Sequence, residues 1–446
     1  MQPTDITDAC LNPSNGKRVA LLWDESFLWG LMACEGLLQA DFSFDVIRFS
    51  EICPDRLAGY TLLIVPGGWA SRKYRGLGEK KEVIRRFVAQ GGGYLGFCGG
   101  AGLALDVPEG LGLIPVRRKQ AGERLPNFSG SILIRCGEGQ HPFWTGINGP
   151  RPMCVWWPSQ FEVVDWKAVE VLGRYAEPCE DFFVADLNVW EVEGAGTPWK
   201  DLEARYGINL DPRRLEGEPA LLEGRYGLGT VVASYVHLET PENMWGLLGL
   251  SNLLHYLLSQ LRDKSTRTKG LSEICQSVPV EDGHASRIRI IASDLDAGIR
   301  FLVEKGGLLG YWKRRNDRFL IWKRGVNGFA FNTIEKMIQE IHRIGGCQSI
   351  RLAADLSPDR FLRVMEDAAR DAQELFGRTV VEMESLSQAG IGSLESRHEN
   401  GGLLSPLSGS GAWDGPLGTL LAKLDWIVYE LLGARWGLSS CRGSSA

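Results

Sequence analysis

Apolar and polar positions alternate in blocks along the first quarter of the chain. Residues 18–23 (Arg-Val-Ala-Leu-Leu-Trp) are a short, mostly apolar run, the pattern of a strand buried on both faces. Asp24-Glu25-Ser26 follows as a helix-start signal, and the helix should run to about Ala40. Residues 44–49 read as a second strand. Residues 60–65 read as a third, ending at Pro66-Gly67-Gly68-Trp69. Residues 80–90 form a charged amphipathic pattern closed by Gly91, and residues 94–97 a strand that feeds into Cys98. This rhythm predicts an α/β fold, a doubly wound, mostly parallel sheet with helices on both faces. Such sheets bind ligands at the carboxyl ends of their strands. Three loops fall there: Asp24-Glu25, Gly67-Gly68 and the turn at Cys98.

Farther along, residues 111–172 are β-rich with irregular loops, and residues 180–215 read as an aromatic loop region. Residues 220–227 and 230–236 form two strands around Gly227-Leu228-Gly229, the pattern of a hairpin. The second strand should end at His237-Leu238-Glu239, and a long helix should follow over residues 243–263. The domain reading is a loose segment over 1–16, an α/β domain over 17–263 and a linker over 264–285. A smaller mixed α/β or helical region of unknown role follows over 286–385, then a flexible Gly/Ser-rich segment over 386–412 and a last helix over 413–437. In the C-terminal region, residues 311–315 and 318–322 flank Asn316-Asp317 as a basic, aromatic hairpin.

Composition narrows the classes. The 446 residues suffice for two or three domains, and 44% hydrophobic with 23% charged residues is ordinary for a globular protein. A net charge of −6 argues against a general nucleic-acid binder. No apolar run approaches the ~20 residues of a membrane span; the leucine-rich stretch over 245–258 is broken by Ser251, Asn252 and His255. Neither nucleic acid nor a membrane is an expected partner. The ten cysteines include no Cys-x-x-Cys pair, so neither a metal site nor a dithiol motif is indicated, and no cofactor is expected. With no signal-peptide pattern at the start, free thiols in a cytoplasmic protein are the simplest reading.

The chemistry gathers at Gly96-Phe97-Cys98-Gly99-Gly100. A nucleophile elbow needs glycine two positions before and two after the nucleophile, because a Cβ there would collide with the turn. A cysteine at the apex sits at a helix N-terminus, where free N–H groups and the helix dipole favour the thiolate. Cysteine catalysis also needs a base and a group to orient it. His237 and Glu239 lie two apart at a strand end, where side chains of such residues point the same way. Gly67, Gly68 and Gly99 are the natural backbone donors for an oxyanion. Asp24, Glu25, Trp69 and Trp157 are further candidates to line a substrate site. The bland alternatives are a core cysteine, a satisfied strand-end histidine, and Asp24 and Glu25 as helix caps.

Three segments together resemble the class I glutamine amidotransferase-like superfamily. Residues 62–68 (Leu-Leu-Ile-Val-Pro-Gly-Gly) look like its oxyanion strand, residues 93–101 like its elbow, and residues 225–239 like its hairpin leading to His-x-Glu. The resemblance covers about residues 17–262 and is nearest to the domain at the N-terminus of eukaryotic biotin–protein ligases. It implies a Cys98–His237–Glu239 triad acting on an amide or related carbonyl of a small molecule, as a hydrolase or amidotransferase. Where glutaminases usually carry a His-Gln or similar pair that helps hold glutamine, this chain has Ala101-Gly102-Leu103. The Gly-Arg-Gly-Arg and Lys-Trp-Pro-Asn-Asp-like segments of a biotin ligase are absent, so biotin ligation is not expected. The alternative is a catalytically inert ligand-binding or regulatory module on the same fold, with the C-terminal region engaging a protein partner.

Overall fold

The computed structural model describes residues 19–137, 139–260, 277–322, 326, 328–388 and 415–436. The segment over 1–16, the first part of the expected linker (264–276) and residues 389–412 lie outside the described residues. The chain divides into two compact units, comprising the described residues 19–260 and 277–436.

The first unit is built on one eleven-stranded sheet. Its strands begin with β1 (Val19–Leu22), β2 (Asp45–Ile47), β3 (Leu62–Val65) and β4 (Gly93–Phe97). A short β5 (Val116–Arg118) and β8 (Phe161–Val163) pair separately, outside this sheet. The sheet continues with β6 (Phe128–Cys136), β7 (Arg151–Trp156), β9 (Val169–Pro178), β10 (Phe183–Val184) and β11 (Leu187–Asn188). It is completed by β12 (Pro219–Tyr226) and β13 (Gly229–Ser234). The order is β2-β1-β3-β4-β13-β12-β9-β6-β10-β11, with β7 also on β6. From β2 to β13 every neighbour is parallel; beyond β13 the pairs are antiparallel.

The apolar runs explain the parallel half. Every residue of β1, β3 and β4 is buried, as expected where both faces of a sheet are covered. Each buried Leu, Ile or Val there contributes on the order of 1.5–3 kcal/mol. The α/β reading with parallel strands and intervening helices is what the fold shows. The helix expected after β1 spans Leu28–Gln39, and the charged amphipathic one Lys80–Ala89. Among the described residues no helix is long and apolar enough to cross a membrane.

Several boundaries differ from the sequence reading, each for a local reason. The strand before His237 stops at Ser234, whose hydroxyl donates to the Val236 carbonyl at 2.5 Å and turns the chain out of the sheet. The loop region over 180–215 holds two short helices, Val189–Gly194 and Trp199–Tyr206. Asn188 caps the first by accepting from the Glu191 amide, and a left-handed Gly207 ends the second.

The second unit, taken by itself, is mainly helical: Asp282–Leu308, Gly328–Gly345, Pro358–Gln388 and Gly415–Trp436. Two small ribbons accompany them, Ser277–Pro279 with Arg351–Ala353 and Trp312–Arg314 with Leu320–Trp322. The expected linker therefore ends earlier than 285, because Ser277–Pro279 is a strand and a helix starts at Asp282. Residues 386–388 continue a helix rather than beginning a flexible segment. The basic hairpin forms with a longer turn, and Arg314 is held by Glu335 at 2.6 Å.

One close approach ties the helix Leu28–Gln39 to the segment that carries Glu239. A Cβ on Gly36 would lie 2.2 Å from the Glu239 carbonyl oxygen. Replacing an interior helical glycine by alanine ordinarily stabilises by about 1 kcal/mol. Gly36→Ala should instead destabilise the protein by about 1–3 kcal/mol, read as a lower urea midpoint by tryptophan fluorescence. An unchanged or raised midpoint would show that the two backbones are not in contact.

Candidate active site

Cys98 stands between β4 and the helix Gly99–Ala104, with φ 47°, a left-handed value that a side chain rarely adopts. The glycines around it let the turn close. A Cβ on Gly96 would fall 2.4 Å from the Gly100 carbonyl carbon, and one on Gly100 would fall 1.9 Å from the Val65 oxygen. One on Gly99 would fall 1.7 Å from the Gly68 oxygen. The elbow is thus pressed backbone to backbone against the end of β3. Two hydrogen bonds hold it. The Cys98 amide donates to the Ser234 carbonyl at 2.7 Å, and the buried Tyr94 hydroxyl donates to the Gly100 carbonyl at 2.7 Å. Burial raises the Tyr94 pKa well above its ordinary value, so this donor keeps its proton. The Cys98 side chain is partly exposed, and its sulfur lies 4.0 Å from the Trp156 carbonyl oxygen.

β13 runs parallel beside β4 with Ser234 opposite Phe97, so the two strands deliver their following residues to the same edge. His237 and Glu239 are both fully buried. Nδ1 of His237 and Oε1 of Glu239 are 2.7 Å apart, which makes Nδ1 the donor and leaves Nε2 for another partner. Their pairing comes from a turn rather than from strand alternation: the Thr240 amide donates to the His237 carbonyl at 3.0 Å, and the His237 amide donates to the Cys154 carbonyl at 2.9 Å. Burial by itself would lower the His237 pKa; the charge and hydrogen bond of Glu239, with the nearby Cys98, outweigh it and raise it to about 10. Nε2 of His237 and Oε2 of Glu239 make no hydrogen bond of good geometry among the described residues.

The remaining candidates divide. Gly67, Gly68 and Gly99 lie together beside the elbow. Gly68 has φ 112°, a Cβ on it would meet the Glu25 carbonyl at 2.1 Å, and a Cβ on Gly67 would meet the Trp29 ring at 2.8 Å. The Gly99 amide, at the first position of its helix, has no preceding helical turn to accept its proton. Trp157, at φ 52°, sits with its ring 6.2 Å from Trp29 and 6.1 Å from Trp156. Asp24 accepts from the Phe49 amide at 2.5 Å and faces Arg48 at 3.5 Å, so it ties β1 to the segment after β2. Glu25 is held by Arg72 at 2.8 Å. Neither caps the following helix. Trp69 precedes the helix Ala70–Leu77 and is 37% exposed.

Sequence reasoning passed over Trp29 and Thr240. Trp29 lies against the imidazole of His237, ring centres 4.8 Å apart, and Thr240 accepts from the Trp156 indole at 3.0 Å. Nothing in the sequence separates Trp29 from any other aromatic on an apolar helix. Thr240 next to His-x-Glu was the better signal.

No family model and no curated protein matches the chain. Solved structures similar to it include a chain of PurLQS from Thermotoga maritima, at 15% identity and TM-score 0.38, covering 54% of this chain and 99% of that one. A glutamine amidotransferase from Thermotoga maritima matches at 17% identity and TM-score 0.31, covering 55% of this chain and 99% of that one. A β-galactosidase from Rahnella sp. R3 matches at 15% identity and TM-score 0.33, covering 60% of this chain and 34% of that one.

The raised His237 pKa has a consequence for stability. A histidine that binds its proton more tightly when folded lends stability that is complete below its ordinary value of 6.5 and is lost as pH rises through about 10. Stability should therefore fall with rising pH across that window. Glu239→Gln removes the charge that holds the proton and should flatten the slope. Urea midpoints between pH 6 and 10 for both proteins check this; parallel profiles would refute the assigned coupling.

Proposed function

We propose that the protein is a cysteine-dependent hydrolase or amidotransferase of the class I glutamine amidotransferase-like type, acting on an amide or related carbonyl. The observation that carries the reading is Cys98, held at φ 47° on a glycine-cleared elbow, one strand away from a buried His237–Glu239 pair with a 2.7 Å hydrogen bond. The three sequence segments that resemble the superfamily contribute these same residues.

In this mechanism Nε2 of His237 takes the Cys98 thiol proton before the attack, and the sulfur then adds to the carbonyl carbon as the thiolate. Glu239 holds the imidazole in one tautomer and stabilises its charge, and the raised pKa of His237 suits the imidazole to keep the proton while the sulfur reacts. The developing oxyanion is met by backbone amides of Gly99 and of Gly67-Gly68. His237 then gives its proton to the leaving amine, and an acyl-enzyme remains on the sulfur. Water yields the acid and regenerates the thiol; an amine acceptor in its place yields a new amide. Ala101-Gly102-Leu103 after the elbow offers no polar side chain to a glutamine, so the substrate of this reading is another amide. The second unit is the surface through which a protein partner would be engaged.

Alkylation by iodoacetamide, followed residue by residue with mass spectrometry against pH, tests the proposal. Cys98 should label faster than the exposed Cys53, and His237→Ala should slow Cys98 by about 100-fold. Labelling no faster than at Cys53 and indifferent to His237 would overturn the enzyme reading and leave a ligand-binding module.

A further inference from the structure

Two arginines beside the elbow are not used by this mechanism. Arg118 ends β5, where it lies opposite Phe161 of β8. Phe161 stacks on Tyr235 with ring centres 3.9 Å apart, and Tyr235 directly follows Ser234, the residue that accepts the Cys98 amide. Arg124 reaches the same region from the loop after β5. Its Nη1 donates to Ser159 Oγ at 2.7 Å, and Ser159 lies three residues beyond Trp156, whose carbonyl is 4.0 Å from the Cys98 sulfur. Three residues of chain span at most about 10 Å. Both guanidinium groups act electrostatically on Tyr235, and so does Cys98.

Neither arginine has a carboxylate partner among the described residues. Glu218, an acid whose charge acts on the nearby Tyr175, is held by Lys119 at 2.7 Å. Nε of Arg124 is buried and makes no hydrogen bond, and the hydroxyl of the fully buried Tyr175 is likewise unbonded. Burial and then the charge of Arg118 lower the Arg124 pKa, so the two cations repel each other. An unpaired, half-buried guanidinium is a costly arrangement, and the planar fork of arginine suits bidentate capture of a carboxylate.

We propose that Arg118 and Arg124 bind a carboxylate of the molecule whose carbonyl Cys98 attacks. The inference rests on the nucleophile reading above and narrows its substrate to a carboxylate-bearing amide or related carbonyl compound. The amide carbon lies at the sulfur, and the carboxylate reaches past Trp157 and Ser159 to the two arginines.

Two small alkylating agents separate this proposal from the nucleophile reading. Iodoacetate and iodoacetamide share one displacement, in which the thiolate sulfur forms a bond to carbon and iodide leaves; only iodoacetate carries a carboxylate. The ratio of their rates at Cys98, divided by the same ratio at Cys53 in the same protein, reports the local preference for an anion. It should exceed one by on the order of tenfold at low salt. Arg118→Gln and Arg124→Gln should each lower it severalfold, the double variant should bring it close to one, and Arg124→Lys should retain most of it. Arg118 is exposed, so its variant reports even where Arg124→Gln disturbs the fold. A wild-type ratio equal to that at Cys53, or a raised ratio that Arg118→Gln leaves untouched, would overturn the proposal. A slow iodoacetamide rate would count instead against Cys98 as a primed nucleophile.

Discussion

The candidate site depends on a contact between two stretches of bare backbone. The elbow at Cys98 lies so close to the end of β3 that the Cβ positions of Gly99 and Gly100 would overlap the carbonyl oxygens of Gly68 and Val65. That contact is only open to residues without a side chain. It sets Gly99 directly against Gly68 at the end of β3, beside Cys98. It also holds Cys98 at a φ that would relax if the neighbours gave way. Strain of this kind costs on the order of 1–3 kcal/mol and persists where surrounding structure over-determines it. Here the determinants are visible. They are the Cys98 amide bonded to β13, the Tyr94 hydroxyl bonded to the first turn of the helix, and fully buried strands on either side.

The same economy of space extends to the base. The helix Leu28–Gln39 touches both halves of the site. Gly36 lies against the Glu239 backbone, while Trp29 covers the His237 ring and borders Gly67. Enclosure by Trp29 removes water from the imidazole, which taken alone would disfavour its charge; Glu239 reverses that tendency. Of the residues other than glycine with positive φ, Glu25, Phe27, Cys98 and Trp157 all belong to the loops around this site. The chain accepts unfavourable backbone angles where loops from β1, β4 and β7 converge, and the regular strands behind them supply the stability.

The antiparallel half of the sheet gives the site its outer wall. β7 ends at Trp156, whose carbonyl faces the sulfur, and the loop that follows carries Trp157 and Ser159. The small ribbon of β5 and β8 then brings Arg118 alongside. Cys98 and the His237–Glu239 pair therefore follow strands of the parallel half, while Trp157, Ser159, Arg118 and Arg124 lie on the segments between β4 and β9. Open α/β sheets commonly present ligand sites at the carboxyl ends of their strands, with the longer connecting segments around them.

Local patterns of apolarity and glycine determined much of this by themselves. β1, β3 and β4 are legible because strands buried on both faces must be apolar throughout, and the elbow because its glycines have no substitute. His237 and Glu239 were legible as residues, since their spacing after a glycine hairpin is distinctive. The geometry that joins them was not: a single Ser234 hydroxyl bond ends the strand early, and a turn does what alternation was expected to do. Asp24 and Glu25 look like caps or ligands in sequence, yet Arg48, Phe49 and Arg72 claim them from distant positions. The roles of Trp29, Trp156 and the two arginines were decided only by tertiary structure. Their surroundings are assembled from segments up to about two hundred residues apart, and no local pattern records which distant side chain will be left unpaired.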